Sequence, residues 1–197
     1  MKKNILNSVL IGLVVLGLEC GASSTSMNTK AQVNAVNKSW QAIKDIENPV
    51  KEAQIVAVKT NWQAIRYIKN PVKEVQLVAI FQNENAIMLI DNLDKNIQLE
   101  AVKESYYILQ KIKNPSKEAQ LAGIEQSYHA IKYIKNPDVD VQLAAVKKDA
   151  RAIQFIKNPN KEVQLTAVNS DYNVIKYIKN PEIEVSKIAY AGIMSGY

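Results

Sequence analysis

The chain has 197 residues, 47% of them hydrophobic and 22% charged, and its 25 basic against 19 acidic side chains leave a formal charge of +6. That is enough apolar material for a buried core, and it excludes a disordered tail. One histidine (His129), one cysteine (Cys20) and six glycines, of which only Gly123 lies between Gly21 and Gly192, argue against a His/Cys metal cluster, a disulfide framework and a phosphate-cradling loop.

At the N-terminus, Lys2 and Lys3 precede a mostly apolar run from Ile5 to Leu18. The run has the length of a signal-peptide hydrophobic region and falls short of the roughly 20 residues that span a membrane. Residues 1–22 are therefore expected to be an export signal and 23–28 a polar linker. The folded part would then lie in the periplasm, at the cell surface or outside the cell. Several outcomes stay open: cleavage after Ala22, acylation of Cys20 in the manner of a lipoprotein, an uncleaved anchor, or a start at Met27. Against acylation, Glu19 fills the place before the cysteine, where lipoproteins carry a small residue.

The remainder is one unit written seven times. All six prolines, Pro49, Pro71, Pro115, Pro137, Pro159 and Pro181, follow an asparagine and fall on a 22-residue beat whose missing member is Asn92-Leu93. Residues 29–182 divide without insertion into seven such units, with a partial eighth at 183–197 that is expected to cap the stack. Within the unit 117–138, apolar residues follow a helical period at Ala119, Leu121, Gly123 and Ile124 and again at Ala130, Ile131 and Ile134. Two short helices of about ten and eight residues are predicted, too short to stand alone in water and so dependent on stacking. Asn-Pro separates units, and the residue after it (Ser116, Asp138, Asn160) is an N-cap candidate, with Glu52, Glu74, Glu118 or Glu162 in the first turn. The fold class is accordingly all-α, an α-solenoid of two-helix repeats.

Runs such as Glu118-Ala119-Gln120-Leu121-Ala122 and Ala130-Ile131-Lys132-Tyr133-Ile134-Lys135-Asn136-Pro137 resemble the tandem short-helix repeats of an uncharacterised family in bacterial and phage proteins. More loosely, they are similar to HEAT-type and leucine-rich-repeat-variant solenoids. The resemblance covers residues 29–182. It implies the fold and carries no activity.

Polar and aromatic residues recur in fixed places of the unit. Place four holds Gln32, Gln54, Gln76, Gln98, Gln120, Gln142 and Gln164, in the middle of the apolar arc of the first helix. A buried unpaired amide is costly, so a structural ladder is expected, each amide bonding to a neighbouring glutamine or to the backbone of an Asn-Pro turn; a ligand-lining column is the alternative. Asparagine holds place twenty even at Asn92, where proline is lost, and is expected to fold its amide back on the turn. Place twelve carries Trp40, Trp62, Tyr106, Tyr128 and Tyr172, and place seventeen Tyr67, Tyr133, Phe155 and Tyr177. These rings either cover seams between units or form a row of anchors for a partner.

Lysine recurs at place nineteen (Lys69, Lys113, Lys135, Lys157, Lys179) and at place one (Lys51, Lys73, Lys95, Lys117, Lys161), where acidic neighbours accompany it. Without the three charged residues of the leader, 23 basic and 18 acidic side chains leave only +5, too small and too interleaved with acid for a nucleic-acid surface. The place-nineteen lysines remain a candidate anion-binding edge. Unit three departs from the rule, losing its turn aromatic, its basic residues and its proline while placing Phe81, Met88 and Leu89 where a hydrophobic docking spot could form.

The expected function is a non-enzymatic exported scaffold that binds another protein through a curved repeat surface. The alternative is a module for an anionic surface polymer. No cofactor or metal is expected, His129 has no counterpart in other units to make it catalytic, and membrane contact is confined to the N-terminal segment or a lipid on Cys20.

Overall fold

The computed structural model describes residues 24–196, with side chains from Thr29 onward, so the export signal and Cys20 lie outside the described residues. The chain is all-α, built from regularly repeating helix pairs. It divides into two compact units at Ile90/Asp91. In the first, α1 (Ser24–Lys38), α2 (Lys51–Thr60) and α3 (Lys73–Gln82) are each followed by a short helix, at Trp40–Asp45, Trp62–Tyr67 and Glu84–Leu89. In the second, α4 (Lys95–Glu104), α5 (Lys117–Gln126), α6 (Val139–Lys148) and α7 (Lys161–Ser170) alternate with Tyr106–Lys111, Tyr128–Tyr133, Ala150–Phe155 and Tyr172–Tyr177, and α8 (Ile183–Ser195) ends the chain. Inside each unit α-helix packs on the next α-helix and short helix on the next short helix, which makes two layers. Helix α1 begins at Ser24, so most of the segment expected as a linker is wound into the first helix.

The second helix of each repeat is a 3₁₀ helix of six residues, not an α-helix of about eight. Its apolar spacing fits either period, because over so few residues the two drift apart by less than one side chain. At about 2 Å per residue the 3₁₀ form also spans the length of an eight-residue α-helix with fewer residues. Place eleven caps five of the seven. Asn61, Asn83, Ser127, Asp149 and Asp171 sit in extended backbone and accept a hydrogen bond from the N–H two residues on. The predicted α-helix caps form as well, Ser116, Asp138 and Asn160 accepting from the N–H of Ala119, Val141 and Val163.

The turns explain both recurring amides. Asn70, Asn92, Asn136 and Asn158 have φ of 52°, 51°, 49° and 54°. Among residues with a side chain, asparagine tolerates this left-handed region best, and it is needed whether or not proline follows. Backbone conformation thus accounts for place twenty at these four of its seven asparagines. The glutamines bond to turn backbone and not to one another. Nε2 of Gln54, Gln76, Gln98, Gln120, Gln142 and Gln164 donates to the carbonyl five residues earlier, at Pro49, Pro71, Leu93, Pro115, Pro137 and Pro159, over 2.7–2.9 Å. Oε1 of Gln32, Gln98 and Gln164 accepts from the N–H of Val50, Ser116 and Glu182, the residue just past the next turn, at 2.7, 2.8 and 3.0 Å. The second arm is open at Gln54, Gln76 and Gln142, whose Oε1 atoms are buried without a partner.

The core is a column of small and branched side chains. Ala57, Ala79, Ala101, Ala145, Ala167 and Ala189 hold place seven fully buried, facing Ile65, Ile87, Ile131 and Ile153 at place fifteen. One pair differs in both members at once: Gly123 takes the alanine place and Leu109 the isoleucine place of the preceding repeat. A Cβ on Gly123 would lie 2.5 Å from Leu109 Cδ1, so the branch point moved from Cβ to Cγ occupies the volume of the missing methyl.

Two outcomes follow. Gly123→Ala should destabilise the protein with Leu109 present, the clash outweighing the ~1 kcal/mol gain in helix propensity, and should stabilise it in a Leu109→Ile background. Urea unfolding of the four variants measures the reversal of sign. Gln98→Ala should cost about 1–3 kcal/mol by orphaning the Leu93 carbonyl and the Ser116 N–H, whereas Ala at the exposed Gln63 should leave the unfolding midpoint unchanged.

Candidate interaction surface

The 3₁₀ helices place their first and last residues, places twelve and seventeen, at the edge of each unit, and the two aromatic columns meet diagonally. A place-twelve ring lies against the place-seventeen ring of the following repeat: Trp40 and Tyr67 at 6.4 Å between centroids, Tyr106 and Tyr133 at 6.3 Å, Tyr128 and Phe155 at 6.5 Å. Cations lie over two of these pairs and over Tyr177. Lys44 Nζ is 4.4 Å from the Tyr67 centroid and 5.6 Å from that of Trp40, Lys132 Nζ is 4.2 Å from Phe155, Lys176 Nζ 5.1 Å from Tyr177 and the Arg151 guanidinium 5.4 Å from Tyr128. These basic residues hold places thirteen and sixteen, which the sequence pattern did not single out. The signal was there in Lys44, Arg66, Lys132 and Lys176 at one spacing.

Each unit carries its own segment of this edge. In the first, Tyr67 is 41% exposed, its hydroxyl pKa held below the ordinary value by a hydrogen bond with Arg66 and the charge of Lys44. Trp62 is half-buried, and the repeat that follows it offers Leu89 in place of a ring. In the second, Tyr107 joins the row unannounced by the period, stacked on Tyr106 at 4.2 Å and 5.9 Å from Tyr133. His129 is one of the row, stacked on Tyr128 at 4.1 Å with its Nδ1 3.4 Å from Ser127 Oγ. Tyr172 turns to the C-terminal helix instead, where a Cβ on Gly192 would lie 2.7 Å from its ring and one on Gly196 2.9 Å from its hydroxyl, so both glycines make room for it.

The two lysine columns differ in kind. Place-one lysines are engaged by carboxylates of the following repeat, Lys51 by Glu74, Lys117 by Asp140 and Lys161 by Glu184, and Lys117 also meets Asp138 at the end of its own repeat. Lys69, Lys113, Lys135, Lys157 and Lys179 are all exposed, and among the described residues they enter no ion pair. At one seam they border a cavity of about 120 Å³ whose wall includes Gln110, Lys111, Lys113, Pro115, Tyr133 and Lys135. Of the residues expected to form a docking spot, Met88 is 64% exposed and Phe81 and Leu89 are half-buried.

Among the described residues no group of three His, Cys, Asp or Glu side chains could hold a metal ion, and no helix is long and apolar enough to cross a membrane. What the fold and the edge define is an all-α tandem helical-repeat protein with an aromatic and basic border. No family model, curated protein or solved structure matches the chain.

Asp149 links the caps to the charged edge. It accepts from the Arg151 backbone N–H, its carboxylate pairs with the Arg151 guanidinium at 2.6 Å, and that guanidinium lowers its pKa. A depressed folded pKa gives stability that is present above the unfolded value of about 3.9 and lost as pH falls through the folded one. Asp149→Asn, which keeps a capping side chain, should therefore lose less stability than the parent when urea unfolding is moved from about pH 5 to pH 3.

Proposed function

We propose that the chain is a non-enzymatic repeat scaffold that binds another protein through its aromatic and basic edge, without cofactor or metal. The observation that carries this reading is the diagonal pairing of rings from successive repeats, with a cation over two of the pairs. It presents Trp, Tyr and Arg, the residue types that dominate binding energy at interfaces. The signal-like segment ahead of the repeats supports export, ending either in cleavage after Ala22 or in a lipid on Cys20, and the resemblance to short-helix repeats of bacterial and phage proteins supports an origin there. A second reading, binding of an anionic surface polymer, is favoured by the five place-nineteen lysines that no carboxylate neutralises.

Capture from extracts of the source cell with the form lacking residues 1–22 tests the first reading. A protein enriched on the parent chain should be lost when Trp40, Trp62, Tyr106 and Tyr128 are changed to alanine and circular dichroism shows the helices intact. Capture retained by a folded quadruple variant rejects the aromatic edge as the binding surface.

A further inference from the structure

The C-terminal helix α8 carries a stripe found on no other helix of the chain. Ile183, Lys187, Tyr190 and Met194, spaced by four, three and four residues, fall on one face, and all four are exposed. Two of them stand at places that are aliphatic elsewhere. Place eight is Val or Ile and at most 2% exposed in all seven full repeats, yet in the eighth it is Tyr190. Place five is Val, Ile or Leu in all seven and Lys187 in the eighth. A helix shaped to receive another repeat of the same kind would keep the aliphatic residue at both places, so α8 is not built to continue the stack. Nor is the stripe an ordinary solvated face, since three of its four side chains are large and apolar.

We propose that α8 docks on α8 of a second copy of this chain, the two helices antiparallel about a two-fold axis midway between Ile188 and Ala189. The stripe is complementary to itself in that arrangement. Residues equally far from the axis face each other, so Ile183 meets Met194 of the second copy and Lys187 meets its Tyr190, and each contact occurs twice. Apolar side chains then pack on apolar ones, and each ammonium lies over a tyrosine ring. The chain already uses that pairing within itself, at Lys44 with Tyr67 and at Lys132 with Phe155. Parallel helices would set Lys187 against Lys187 and lose the ring. The four-three-four spacing is that of a coiled-coil seam. Thirteen residues make such a seam about 20 Å long. A single helix pair is at the small end of specific interfaces, so the dimer is weak, dissociating in the micromolar range or above. The contact stands independently of any partner at the aromatic row. It carries every seam of that row twice, so a ligand with two matching epitopes is held by avidity.

The test uses the chain from Ser23, which keeps every described residue and lacks both Cys20 and the apolar run that would associate by itself. Sedimentation equilibrium from about 10 μM to about 1 mM should show monomer passing to dimer and no larger species. Tyr190→Glu and Met194→Glu, at exposed positions where circular dichroism should stay unchanged, should each weaken the dimer at least about tenfold. Val139→Glu, at place one of α6 and so in the position that Ile183 holds on α8, should change it less than about twofold. The register is read by mixing Ile183→Cys chains with Met194→Cys chains under mild oxidation. The disulfide between unlike chains should form at least about fivefold faster than either like pair. A folded monomer throughout the range, polymers beyond the dimer, association untouched by Met194→Glu or equally sensitive to Val139→Glu, or a predominance of like-chain disulfides overturns the proposal.

Discussion

The hydrogen bonds of the place-four glutamines hold the repeats to their period. An Asn-Pro turn has a carbonyl and an N–H that no helix satisfies, and helices of ten and six residues cannot pay for leaving them buried and unpaired. Gln98 settles both: its Nε2 takes the Leu93 carbonyl ahead of its own helix and its Oε1 takes the Ser116 N–H at the end of its repeat. The reach of one side chain fixes how far apart those two turns can be. A residue inserted between them would move one turn out of range at Gln98 and at Gln164, where both arms are made. Lys51 meets Glu74, and Trp40 meets Tyr67, because a fixed period brings the same offsets together at the seams within a compact unit.

The bond asks for a carbonyl, not for proline. Leu93 accepts from Gln98 as the prolines accept from their glutamines, and Asn92 keeps its left-handed φ of 51°. Proline stiffens the turn, and the asparagine and glutamine define it. The same reasoning applies to the partial eighth repeat. It has Ser186 where glutamine stands elsewhere and Ile183 where lysine stands in most units, so neither coupling side chain is present there. In their place Tyr172 lies against Gly192 and Gly196, and Ile183, Tyr190 and Met194 are left 77%, 60% and 77% exposed.

Helix starts and caps were legible in the sequence because each is set by neighbours within four residues, as Ser116 is with Ala119, and the repeat length because its Asn-Pro markers recur at 22 residues. The buried glutamines were legible as a class, since an amide in an apolar arc must find a partner, but not the choice between amide and backbone, which depends on where the turns lie in space. The 3₁₀ helices were not legible, six residues being too few to separate a period of three from one of 3.6. The exchange between Leu109 and Gly123, 14 positions apart, reads as two unrelated drifts until the packing shows one methyl replacing another.

A scaffold of this kind separates what must repeat from what may vary. Places three, four, seven, eight, fifteen and eighteen face the core or the turns, and a change there is felt by two repeats at once, so it needs a compensating change like that of Leu109 with Gly123. Places twelve, thirteen, sixteen and seventeen lie on the 3₁₀ edge, where Gln41, Gln63, Asn85, Tyr107, His129, Arg151 and Asn173 succeed one another at a single place with no effect on the staple. The 3₁₀ helix matters for this. Its extended exit at Ile112, with φ −86° and ψ 119°, carries the chain straight to the next turn, so an edge residue alters the seam it faces and little else. Chemical difference therefore accumulates seam by seam on the 3₁₀ edge within each compact unit. A ligand that distinguishes Lys111 from Tyr133 at place seventeen reads a single seam, although the backbone beneath repeats along the chain.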